Sequence, residues 1–301
     1  MSFLPPLKIM NTVAIALVIV SSIMHAVRDL YTKKSYDKHV FLWWFVVTGT
    51  IMFSPLFIYS IWKEGIPDAK GFMILAGASF IHLTYWILLA KCYEHGDLSH
   101  VYPIIRSAPA LVLIFSVVIL KENVSIFGAL GVLFIVVGTY AINLTTFKIR
   151  GWLKPFQLAR KDGITRIAFL TVFFVAGYTI IDKIGVSNVE PLSYLLFLDI
   201  IVLTLYTIYI AKTKSMDSIK NEWRKNKNSI MLNGILGKLG YLLMLIAFTR
   251  ERVSYLVSLR QLSVVIAVIL GGHILKEKNF GIRATASAMI FIGAILIANG
   301  G

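Results

Sequence analysis

Apolar residues run through this chain in long unbroken stretches, not in the alternating or one-faced stripes of a soluble protein. Residues 12–20, 111–120 and 133–142 are examples. Each extends into a segment long enough to cross a hydrocarbon core of about 30 Å. The pattern predicts ten helices, at 11–31, 40–62, 71–93, 98–120, 125–145, 165–185, 192–212, 229–249, 254–274 and 281–299. Most links between them are short. Two are long and basic, 146–164 and 213–228. The first apolar run resembles a signal sequence in outline, but it continues into a polar helical motif that reappears later, so it is kept as a span.

The pattern also repeats. Ile119-Leu120-Lys121-Glu122 returns as Ile274-Leu275-Lys276-Glu277, an offset of 155. The same offset carries Ser99 onto Ser254, Ala129 onto Ala284, Ile135 onto Ile290 and Gly138 onto Gly293. Asp29 and Asp182 correspond at an offset of 153. Five helices per copy is an odd number, so the second copy enters the membrane from the opposite side. The expected fold class is an all-α integral membrane protein of two inverted five-helix repeats, 1–147 and 148–301, forming one membrane domain. Gly128, Gly131 and Gly138 in the fifth span, and Ala284, Ala288 and Gly293 in the tenth, are the expected close-packing residues.

Composition agrees with the pattern. The 301 residues are 57% hydrophobic, with a mean hydropathy of +0.78. The net charge of +15 invites a nucleic-acid reading only in a soluble protein. Here the basic excess lies in loops, where it faces anionic lipid headgroups, so no nucleic-acid partner is expected. One cysteine, Cys92, excludes an internal disulfide and a cysteine metal or redox site. The scattered histidines show no metal-ligand spacing. No phosphate-binding glycine loop or nucleophile–base signature is present, so neither a cofactor nor an enzymatic activity is expected.

Charges inside the spans are the candidate chemistry. A guanidinium in a bilayer span costs a few kcal/mol and persists where it faces a protein-lined cavity or a partner. Arg106 and Arg260 are such residues in spans four and nine. Ser99, Tyr102, Arg106 and Pro109 form one stripe of span four, and Pro103 and Pro109 each remove a backbone donor. His25, Arg28 and Asp29 share a face of span one, where an interfacial Arg28–Asp29 pair is the competing reading. Lys238 lies near the middle of span eight, with Asp199 or Asp182 as its expected counter-ion. Asp182, Asp29 and Asp199 are the candidates for charge relay or proton coupling. His82, Tyr85 and Trp86 share a face of span three, as packing or as a binding wall.

Several of these stretches resemble the EamA-type ten-helix transporters of the drug/metabolite transporter superfamily, over essentially the whole chain. His25-Ala26-Val27-Arg28-Asp29 is similar to the family's first-span pattern, with Asp29 where asparagine is usual. Residues 96–106, GDLSHVYPIIR, resemble a run in a subgroup associated with phosphonate utilisation. Tyr178-Thr179-Ile180-Ile181-Asp182-Lys183 and Ser258-Leu259-Arg260-Gln261-Leu262-Ser263-Val264 resemble its sixth and ninth spans. Gln261 replaces the subgroup's usual glutamate.

The resemblance implies a secondary transporter, and the charge balance makes a small polar metabolite the expected cargo, zwitterionic or anionic, amino-acid-like or phosphonate-like. Arg106, Arg260, Tyr102, Lys238, Gln261, His25, Tyr85 and Trp86 are the expected substrate contacts, the lipid bilayer the other partner, and protons the candidate coupling ion. The alternatives are a proton-coupled exporter of cations and a lipid flippase. A cation exporter is expected to carry an unpaired mid-span glutamate, and the spans hold none.

The loop charges predict orientation. Sixteen lysines and arginines follow odd-numbered spans and six lie on the other side. The positive-inside rule places both termini outside a cell (inner) membrane, whereas ten-helix relatives are generally drawn with both termini inside. A C-terminal reporter active only in the cytoplasm should therefore be silent, and full activity would reverse the assignment.

Overall fold

Capping residues set where the helices begin. Asn11 Oδ1 accepts from the N–H groups of Val13 (3.0 Å) and Ala14 (3.2 Å). Asp37, Asp68, Ser125, Asp162, Glu190 and Ser215 do the same work at later starts, each satisfying donors a helix's first turn leaves unpaired. A computed structural model describes residues 10–96, 101, 104–142, 162–265 and 280–300, the side chains of 29, 30, 33, 280, 281 and 300 aside. Ten helices lie in this part: α1 Thr12–Lys34, α2 Lys38–Glu64, α3 Ala69–His95, α4 Ala108–Val118, α5 Ile126–Ala141, α6 Gly163–Val186, α7 Pro191–Thr213, α8 Met216–Arg250, α9 Val253–Leu259 and α10 Phe280–Gly300. By length and composition, six described helices can each cross a membrane, and shorter apolar stretches run over Thr12–Arg28, Ile104–Val118, Ile126–Ala141 and Val253–Val265. The protein is a multi-pass membrane protein.

The packing pattern carries the inverted repeat. Exchanging each helix with the one five places on maps α1 against α8 onto α6 against α3, and α2 against α8 onto α7 against α3. The pairs α2–α7, α4–α9 and α5–α10 map onto themselves. These seven pairings are what a pseudo-twofold axis between the halves produces.

Lipid is as apolar as a leucine side chain, so close backbone approach holds the helices together in place of a hydrophobic drive. α5 and α10 meet at glycines. A Cβ on Gly131 would lie 2.7 Å from the Gly293 carbonyl oxygen, and one on Gly293 would lie 2.5 Å from that of Gly131. Gly138 meets the Ala286 oxygen in the same way, at 2.7 Å. The sequence expectation is corrected here. Ala284 and Ala288 are exposed and Ala286 is buried, because α10 is apolar on every side and composition alone leaves its rotation unfixed.

Backbone breaks are locally repaired. Pro55 inside α2 cannot donate to the carbonyl of Ile51, and the Ser54 hydroxyl donates to it instead at 2.7 Å.

A second correction concerns 213–228, expected as a long basic loop before a helix at 229–249. Instead α8 starts at Met216 behind its Ser215 cap and runs for 35 residues. Hydropathy marks where a helix leaves lipid, not where it ends, and this polar run contains no proline or glycine. The extension is anchored. Glu222, 1% exposed, accepts from the N–H groups of Tyr36 (3.1 Å) and Asp37 (2.8 Å). Trp223 lies against Trp44, with ring centroids 4.6 Å apart. Asp37 also pairs with Lys214 at 2.6 Å. Burial acts to raise the Asp37 carboxyl, but the Lys214 hydrogen bond and charge and the Val40 N–H outweigh it and hold it below the usual carboxylate range.

The Gly131–Gly293 contact gives a contrast. Gly131→Leu should separate α5 from α10 and cost about 1–3 kcal/mol, the range for overpacking. Ala288→Leu, on the exposed face, should leave the unfolding temperature of the solubilised protein unchanged. Equal effects would mean that the α5–α10 contact is wrongly assigned.

Candidate functional site

Polar side chains that the spans bury converge between α1, α2, α3, α6, α7, α8 and α9. They line a cavity of about 550 Å³, bordered by His25, Arg28, Tyr85, Trp86, Asp199, Lys238 and Arg260 among others. A second cavity, of about 540 Å³, is bordered by Arg28, Tyr85, Tyr178 and Arg260 together with Arg106 and Gln261. The four residues common to both make a partition between two chambers. α5 and α10 contribute to neither lining.

A tightened turn presents each of the two arginines at the chambers. Ser107 N–H donates three residues back to Ile104 (3.0 Å), and Ala110 N–H to Ser107 (3.1 Å). In the second repeat Gln261 N–H donates to Ser258 (2.9 Å), and Val264 N–H to Gln261 (2.9 Å). Such bonds mark a 3₁₀ turn, which inside a longer helix is a frequent sign of a hinge. Pro109 explains the first turn, because it lacks the donor that would reach Ile105. No proline lies between 253 and 265, and there serine hydroxyls share the carbonyls. Ser258 Oγ donates to Ser254 (2.7 Å) and Ser263 Oγ to Arg260 (3.0 Å), as Ser107 Oγ does to Ile104 (2.6 Å). Glu122 fixes the start of α9 by accepting from Val253 N–H and Ser254 Oγ, both at 2.7 Å.

The buried charges are mostly paired. Asp182, fully buried, accepts from His82 Nε2 at 3.0 Å and from Tyr194 Oη at 3.0 Å, and Tyr241 Oη donates to its other oxygen. The Tyr178 ring stacks on His82 at 4.5 Å. This node ties α3 of the first repeat to α6, α7 and α8 of the second. Gly185 makes room for it, since a Cβ there would lie 2.1 Å from the Tyr194 ring. Lys238 pairs with Asp199 Oδ1 and passes over Gly49, where a Cβ would lie 2.5 Å from the lysine chain.

Arg28 is 6% exposed, lies 5.3 Å from the Trp86 ring centroid and borders both chambers, so it does not snorkel to the interface as the competing reading had it. Arg260 differs. Among the described residues no carboxylate pairs with it, and its buried Nε has no hydrogen-bond partner. His25 Nδ1 and Nε2, Gln261 Oε1 and Asp199 Oδ2 are likewise buried without a partner there.

The structure thus brings together His25, Tyr85, Trp86, Asp199, Lys238 and Arg260 in the first chamber, and Arg106, Arg260, Gln261 and Tyr85 in the second. Of the two counter-ions expected for Lys238, it is Asp199 that pairs. Asp182 does not pair with Arg260; His82 and two tyrosines occupy its carboxylate, and it borders neither chamber. Tyr102, Ser99 and Pro103 lie outside the described residues, as does the Asp29 side chain. Sequence reading placed His82 in an aromatic stripe and missed that it serves Asp182, 100 residues away. The one signal available was a buried carboxylate needing donors.

Comparison with known proteins completes the picture. No curated protein matches the chain. Among solved structures, 28 chains match. One, described only as the crystal structure of a protein, is 15% identical, covers 95% of each chain and has a TM-score of 0.67, a likeness of fold alone. The family model for the EamA-like transporter family matches residues 12–144 and 166–299. Those two stretches take in five helices each and most of the chain, so the protein belongs to the EamA-like transporter family.

Proposed function

We propose that the protein is a secondary transporter carrying a small polar metabolite, zwitterionic or anionic and amino-acid-like or phosphonate-like, by alternating access. One observation carries the reading. Arg260 stands between two chambers inside a bundle of apolar helices, with no carboxylate among the described residues to neutralise it. A guanidinium there is costly unless something else supplies the negative charge. Its planar fork suits a carboxylate or phosphonate, and the chamber sets a few polar groups among apolar and aromatic walls, as small-molecule sites do. Arg106, Gln261, His25, Tyr85, Trp86 and Lys238 are the further contacts, with Tyr102 assigned from its place on the Arg106 stripe.

Alternating access has a physical basis in the two tightened turns. They sit beside Arg106 and Arg260, one in each inverted half, where small changes in backbone angle re-aim a guanidinium. Asp182, bridged to His82 across the two repeats, is the proposed proton-coupling group. Asp29 remains a proposed relay group on the strength of its sequence position. The proposed location is the cell (inner) membrane with both termini outside, on the loop charges. A cation exporter is disfavoured by the uncompensated Arg260. A flippase calls for a long apolar lateral opening, whereas charged and hydroxyl-bearing side chains stand among the apolar ones that line these chambers.

Arg106→Lys and Arg260→Lys each keep the charge and lose the bidentate fork. In proteoliposomes tested against amino acids and alkylphosphonates, transport should fall roughly ten- to a hundredfold, as for loss of a charge-assisted hydrogen bond. The unfolding temperature should barely change. Wild-type transport by both variants would remove the arginines from the site.

A further inference from the structure

Resting on the transport reading above, we infer that the cargo is a zwitterion bound by its two poles at separate places in the first chamber, its ammonium on Asp199 Oδ2 and its acid group on Arg260 beside His25. Asp199 is the less obvious half. It is 5% exposed, and its two oxygens are not equivalent. Oδ1 is held by Lys238. Oδ2 is buried and, among the described residues, has no donor. A carboxylate offers about four acceptor positions, and one left empty in a dry interior costs on the order of 1–3 kcal/mol. The same cavity wall holds the opposite defect. Arg260 Nε is a buried donor without an acceptor, and neither His25 nitrogen has a partner though the residue is only 3% exposed. All three residues border one cavity.

Two complementary defects in one chamber select for a solute that cures both. A plain acid satisfies Arg260 but leaves Asp199 Oδ2 empty and meets its negative charge. A plain amine satisfies Asp199 and leaves the guanidinium uncompensated. A molecule carrying –NH₃⁺ and an acid group supplies donors to one and acceptors to the other. The aromatic walls of the chamber suit an ammonium as well. Phe45, Trp86 and Tyr241 line the chamber, and aromatic faces attract cations; Lys238 itself lies 5.4 Å from the Phe45 ring centroid. The Lys238–Asp199 pair therefore aims the free oxygen rather than neutralising it away. Lys238 fixes Oδ1, and the approach to Oδ2 is left for the cargo.

The test compares matched sets on the purified full chain, by thermal stabilisation titrated to an apparent Kd. The sets are L-alanine, propionate and ethylamine; L-leucine, 4-methylpentanoate and 3-methylbutylamine; and 3-aminopropylphosphonate, propylphosphonate and propylamine. In at least one set the zwitterion should bind roughly ten- to a hundredfold more tightly than both of its single-pole partners. Asp199→Asn should remove that advantage over the acid, because the ammonium loses its counter-charge and the acid no longer meets the negative carboxylate. An acid that binds the wild-type protein as well as its zwitterion overturns the ammonium site and leaves the transport reading standing. An Asp199→Asn protein that folds and keeps the full preference also overturns it. Tightest binding by the amines would favour the cation exporter against both readings, and stabilisation by no member of any set would overturn both. Should Asp199→Asn fail to fold, the wild-type ratios alone decide.

Discussion

A charge inside a membrane span must be paired, solvated or put to use, and this molecule is arranged around that constraint. Removing one partner from a buried ion pair commonly costs 3–5 kcal/mol. Asp182 meets the constraint with three donors from three helices. Asp199 and Lys238 meet it with each other, and Arg28 lies over an indole face. These solutions also fasten the two repeats together, since the Asp182 node joins α3 to α6, α7 and α8. Arg260 has no such solution among the described residues. It stands at the junction of two chambers, and that is the observation behind the proposed anion-binding role.

The inverted repeat explains why the junction lies where it does. α4 and α9 pack against one another across the pseudo-twofold relation, and each is bounded at one end by a tight turn beside its arginine. α5 and α10, locked glycine to glycine, stand apart from the chambers. Among the described residues the molecule therefore divides into a closely packed pair that lines neither chamber and a set of helices with local breaks that lines both. That is a workable division for a carrier whose site must face each side of a membrane in turn.

Much of this is written openly in the chain. Spans, caps and the 155-residue repeat follow from hydropathy and from single residues such as Asn11, Asp37 and Asp162. Three features are not open to the same reading, for definite reasons. The polar start of α8 looks like a loop because hydropathy reports the solvent around a helix and not its backbone. The choice of Ala286 over Ala284 and Ala288 is invisible because lipid and protein interior are equally apolar, so nothing in composition fixes the rotation of α10. The His82–Asp182 bond joins residues 100 apart on helices of different repeats, and no periodicity encodes such a partner. Arg106, Arg260 and Lys238 were legible as candidates because an ion in a span is costly wherever it points. That Lys238 would meet Asp199 and that Arg260 would meet no carboxylate among the described residues was not.

The central claim is that the first chamber is a substrate site that opens to water at each face of the membrane in turn. Val202 borders it and is 3% exposed. In a Cys92→Ser background, Val202→Cys should react with a small, charged, membrane-impermeant thiol reagent applied to either face of sealed vesicles, and more slowly when the tightest-binding zwitterion is present. A Val202→Cys protein that resists the reagent from both faces, yet reacts fully once denatured, would contradict the account.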